Sequence, residues 1–150
     1  MTKPYATLTA AMAAKIIEGS TVSYCFKLAP GEYTGKLEYD MTNATQSFKI
    51  EGSGPDTTFV QSGSSFSAAP NDIVMFFRDF KRVEVSDLTV RFGSYGFYPR
   101  DCDSAVLRNV RFVNCGSVGT VNRHDQSGTQ SEQAAYWATC SDGGACRIRS

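Results

Sequence analysis

Two short runs hold side chains that could move a proton: Arg100-Asp101-Cys102-Asp103 and Arg123-His124-Asp125, whose arginines lie 23 positions apart. A carboxylate or imidazole beside a guanidinium can serve as general base while the cation steadies the developing charge. Two aspartates could also divide the acid and base roles that glycosidic hydrolysis needs. If the chain returns on itself with that period, the runs stack in adjacent strands about 4.8 Å apart, within contact distance. Both runs also lie in turns, where solvated charges are expected without any catalysis.

The elements that would position them are visible just upstream. Val83-Glu-Val85-Ser-Asp87-Leu88-Thr-Val90-Arg-Phe92 is followed 22 positions later by Ala105-Val-Leu107-Arg-Asn109-Val110-Arg-Phe112-Val-Asn114. Apolar residues keep the same offsets, and Asp87 is answered by Asn109. A glycine turn follows each block, Gly93-Ser94-Tyr95-Gly96 and Gly116-Ser117-Val118-Gly119, at an offset of 23, which predicts one inserted residue. Short alternating strands repeating with a period in the low twenties mark a stack of coils. Alternation directs Val83, Val85, Leu88, Val90 and Phe92 inward, with Leu107, Val110 and Phe112 beneath them. Asp and Asn between two strands suit a bend, because both tolerate left-handed backbone.

Before these blocks, residues 5–18 predict a helix, capped by Thr7, striped by Leu8, Met12 and Ile16, and stopped at Gly19. Strands follow around Pro30-Gly31, then at Phe48–Ile50 and at Thr57–Val60. Residues 61–71 are small, polar and uncharged and read as an excursion from the coil, a candidate contact surface or simply a tolerated insertion. Ile73–Phe77 is apolar at nearly every position, which predicts a strand covered on both faces. Ile73, Met75, Phe77, Tyr95, Phe97, Tyr98 and Trp137 are therefore the candidate interface residues. After Val121 the pattern fails, until Ala145-Cys146-Arg147-Ile148-Arg149 resembles the opening of another coil or a closing strand.

Acidic and basic residues number 15 each and are scattered, which argues against nucleic acid as a partner. No apolar run approaches the ~20 residues of a membrane span. The first twenty residues lack the basic start and unbroken apolar centre of a signal peptide, so folding in a cytoplasm is expected. Of five cysteines, Cys25 reads as a small core residue. Cys102, Cys115, Cys140 and Cys146 share the second half with His124, without the paired spacing of a zinc site, so neither metal nor cofactor is expected.

The repeated blocks resemble the right-handed parallel β-helix of the pectate-lyase-like superfamily. Pro4-Tyr5-Ala6-Thr7-Leu8 followed by Phe26-Lys27-Leu28-Ala29-Pro30-Gly31-Glu32-Tyr33 is similar to the cap and first coil of phage tailspikes and other virion proteins. The resemblance spans residues 4–120. It implies an all-β chain, a short right-handed parallel β-helix with an N-terminal capping α-helix. The whole chain, 1–150, would be one domain: a cap at 1–20, coils at 21–120, and an irregular segment with a closing strand at 121–150. It further implies a non-enzymatic phage virion protein, for capsid decoration or in a tail fibre or tailspike. Such a protein would be a homotrimer assembled in the host cytoplasm with other virion proteins, and would touch a host-surface polysaccharide.

The alternative is a carbohydrate-active enzyme, lyase or hydrolase, or a sugar-binding module, secreted rather than packaged. Arg100, Asp101, Asp103, His124 and Asp125 would then carry the chemistry. The hydrolase signatures Asn-Thr-Asp, Asp-Asp and His-Gly are missing, and Arg147-Ile148-Arg149 matches only the Arg-Ile-Lys element. The expectation is that these residues are not catalytic.

Overall fold

The computed structural model describes residues 5–42, 45–65, 72–117 and 145–148. It is mostly strand, with one short helix. The helix, α1, runs Leu8–Ala13, and the Thr7 hydroxyl caps it by accepting the Ala10 N–H at 3.0 Å. It stops well short of Gly19; past Ala13 the Met12 carbonyl accepts from both Lys15 at 3.0 Å and Ile16 at 2.7 Å, a final turn after which the helix is not continued. Leu8, Met12 and Ile16 are buried as their spacing predicts and join the apolar core.

Among the described residues nine strands follow: β1 Tyr24–Lys27, β2 Gly31–Thr34, β3 Leu37–Asp40, β4 Ser47–Glu51, β5 Thr58–Gln61, β6 Ile73–Arg78, β7 Arg82–Arg100, β8 Ala105–Ser117 and β9 Ala145–Ile148. They belong to one curled sheet in which every pairing but the last is parallel. Three ladders meet on the long, bent β7. Its first part pairs with β4 (Phe48↔Val83), its middle with β5 (Val60↔Val90) and its last part with β6 (Met75↔Phe97). Strands β1, β2 and β3 extend the three ladders on one side, and β8 extends β7 on the other.

The bends come from backbone chemistry. Asp79, Asp87 and Phe92 take φ of 60°, 56° and 62°, and Asp101, Asn109 and Asn114 repeat the geometry 22 residues later with 53°, 50° and 50°. The Asn109 amide donates to Asp87 Oδ1 at 2.9 Å, so successive bends are also bonded to each other. Phe92 therefore turns the chain instead of joining the core, because an αL residue cannot continue the pleat that pointed Val90 inward. The offset stays at 22 from Val83↔Ala105 to Tyr95↔Ser117. Gly93 accordingly lies opposite Cys115 and not Gly116, and no residue is inserted ahead of the turn.

Val83, Val85, Leu88 and Val90 are fully buried, and Leu107, Val110 and Phe112 lie under them in register. Cys25 is exposed, contrary to expectation, because it alternates with the buried Phe26. Cys102 and Cys115 are buried, and burial pushes both thiols up to about 11. Strand β9 runs antiparallel to β8 (Val113↔Ala145 to Val110↔Ile148), so it closes back over the last strand and does not begin another parallel turn. An antiparallel return covers an edge without the crossover that a parallel strand requires. Gly52 is needed where it is, since a Cβ there would overlap the Asp87 carbonyl and the Leu88 side chain.

Candidate functional site: an aromatic strip and an ion ladder on the third face

The third ladder, β3–β6–β7, splits its residues by alternation. Leu37, Met75 and Phe97 form one row and Tyr39, Phe77 and Pro99 another, and both rows point inward. Met75, Phe77 and Phe97 are fully buried in the chain's own core, so they offer no surface to a partner. The outward rows are Glu38, Phe76 and Tyr98, and Asp40, Arg78 and Arg100. Phe76 stacks on Tyr98 at 5.7 Å and 24°, and Tyr95 meets Tyr98 at 5.9 Å. Ile73 is half-buried opposite Tyr95, which is 36% exposed. The aromatic strip is therefore Phe76, Tyr95 and Tyr98. Phe76 was missing from the sequence-derived set, although the parity of a strand whose inner residues are 75 and 77 would have found it.

Beside the strip runs the ion ladder. Arg78 Nη1 lies 3.1 Å from Asp40, and Arg78 Nε lies 3.6 Å from Asp79 and 3.5 Å from Asp101. Arg100 Nε reaches the same Asp101 oxygen at 3.4 Å. Among the described residues no acceptor sits within hydrogen-bonding geometry of the buried Arg78 Nε, so that atom's hold on Asp79 and Asp101 is electrostatic. Burial raises the Asp79 carboxyl above its ordinary range; Arg78 opposes this, while Asp101, Asp40 and Glu18 add to the rise. The nearby carboxylates, Asp40 foremost, hold Arg78 more firmly protonated than usual.

Arg100 and Asp101 are thus brought together, with Arg78 and Asp79 one period earlier. Asp103 lies at a different corner, in a groove of about 280 Å³ shared with Thr21, Ser23, Thr45, Ser47 and Lys81. His124, Asp125 and Trp137 lie outside the described residues. Among the described residues no cluster of His, Cys, Asp or Glu has the arrangement to hold a metal ion.

The other two faces carry comparable networks. On the first, Glu84 is met by Arg82 at 3.0 Å, Arg108 at 3.3 Å and Lys49 at 3.7 Å. Burial alone would raise the Glu84 carboxyl, but the Arg82 hydrogen bond and the three cations bring it below its ordinary value. On the second, Arg91 lies 4.3 Å from the Phe59 ring and 5.0 Å from that of Phe92, pairs with Glu32, and donates to Gln61 at 2.6 Å. All three outer faces share one chemistry: charges from successive strands neutralise each other along the ladder. The Asp101 Oδ2 atom lies between two guanidinium Nε atoms at 3.4 and 3.5 Å, so this carboxylate serves as a charge partner in the ladder. A scan against protein-family models, a search of curated proteins and a search of solved structures find no match to this chain.

Proposed function

We propose that this chain is a structural protein of a phage virion, in capsid decoration or in a tail fibre or tailspike, that acts without catalysis. In this reading its strands wind as a short right-handed parallel β-helix, with α1 as the cap. The winding is supported by the way β7 alone visits the β4, β5 and β6 ladders in sequence before β8 repeats its path. The hand follows from the strong preference of parallel crossovers for right-handed connection. The virion assignment rests on the resemblance at residues 4–33 and in the repeated blocks.

The observation that carries the structural reading is the ion ladder, in which Asp101 and Arg100 are spent on each other and on Arg78. Assembly is a homotrimer, with Ile73, Phe76, Tyr95 and Tyr98 as its contact strip, and with other virion proteins and a host-surface polysaccharide as further partners. Closed symmetry covers such a strip without open-ended growth. Light scattering of the isolated chain at micromolar concentration tests this. A mass three times the 16.3 kDa chain is expected, and a monodisperse monomer would remove the assembly. Cleavage of a polysaccharide that is lost in Asp101→Asn would remove the non-enzymatic reading.

A further inference from the structure

We draw no further inference here: the strongest candidate, the exposed apolar pair Ile17 and Val22 on the segment between α1 and β1, is held by the buried Gln46, and nothing in the structure shows what covers it.

Discussion

The stretch from Asp79 to Ser117 and the stretch from Tyr24 to Arg78 use the same parallel pairing to different effect. In the later stretch, partners are always 22 residues apart. In the earlier one the spacing drifts, from 24 at Tyr24↔Phe48 to 27 at Thr34↔Gln61 and 38 at Leu37↔Met75. The step from 27 to 38 comes from the longer run of chain between Gln61 and Met75 than between their partners Thr34 and Leu37. Where spacing is constant, like lies on like, and inward valines and leucines with outward bends suffice. Where it drifts, side chains must clamp the backbone. Gln46, fully buried, donates from Nε2 to the Lys15 and Val22 carbonyls at 2.9 Å each and accepts the Ile17 N–H at 3.3 Å. Lys36 holds Asp72 at 3.1 Å, and the Asp72 carbonyl takes the Ser94 N–H at 2.7 Å. Regular register thus relies on apolar stacking, and irregular register adds polar side-chain clamps, buried at Gln46 and partly exposed at Lys36.

The largest test of this contrast is Leu88→Ala in the regular stretch. It removes a fully buried side chain and should cost about 2–4 kcal/mol in urea unfolding, through transfer and cavity terms. An unchanged midpoint would remove the inward register. Gln46→Leu comes next. It strands two carbonyls and an N–H, each worth about 1–3 kcal/mol when left unpaired and out of water, although cap carbonyls that reach water recover part of this. We expect a loss of about 2 kcal/mol, concentrated in faster hydrogen exchange across residues 8–16 and sparing β7 and β8; uniform loss would erase the distinction between the stretches.

Phe92→Asn should act in the opposite direction. Left-handed geometry costs an ordinary residue about 1–2 kcal/mol, and asparagine, already present at the equivalent bend Asn114, bears it more easily. The lost ring contact between the half-buried Phe92 and Arg91 is worth about 1 kcal/mol, between the exposed and desolvated limits of such pairs. The difference favours the variant slightly, by a rise of a degree or two in Tm. A clear fall would mean that the ring's contacts outweigh the bend.

The smallest effect concerns pH. The Asp79 carboxyl has a folded pKa above its unfolded value, so the folded state binds that proton more tightly. Its contribution is fully present below the unfolded value and is lost as pH rises through the folded one. Asp79→Asn keeps a residue suited to the bend and should raise stability near pH 7 while leaving it nearly unchanged near pH 3. The reverse dependence would contradict the burial of Asp79 and, after it, the crowding of Asp101 and Asp40 beside it.

The sequence made the later stretch legible because its two copies could be compared with each other. The inward set Val83, Val85, Leu88 and Val90 and the bends at Asp87 and Asn109 followed from alternation and from Asx chemistry alone. Phe92 was misread because composition calls it a core residue, and only its opposition to Asn114 marks it as a bend. The Gly93 and Gly116 match misled for a related reason: glycines in turns look alike, and only the hydrogen-bonded partner Cys115 fixes the register. Met75, Phe77 and Phe97 were placed at a surface because an unbroken apolar run hides its parity. At the candidate site, the pairing of Arg78 with Asp101 joins residues 23 apart across a ladder, and the groove at Asp103 depends on Thr21 and Ser23, whose distance along the chain leaves no local signal.

The constant spacing of β7 and β8 also has a consequence for length. Because each residue from 83 to 95 has its counterpart 22 positions on, with bends and inward side chains matched, the stretch is divisible into interchangeable units. Copying residues 83–104 in tandem would supply a new strand with its bends already in phase and its upper and lower neighbours already complementary. If the strands wind as proposed, the molecule would lengthen by one strand spacing, about 4.8 Å. A duplication whose length is not a multiple of 22 would put the bends of the new strand out of phase with those of its neighbours. Growth of this stretch is therefore quantised, and its dimensions can change only in whole steps.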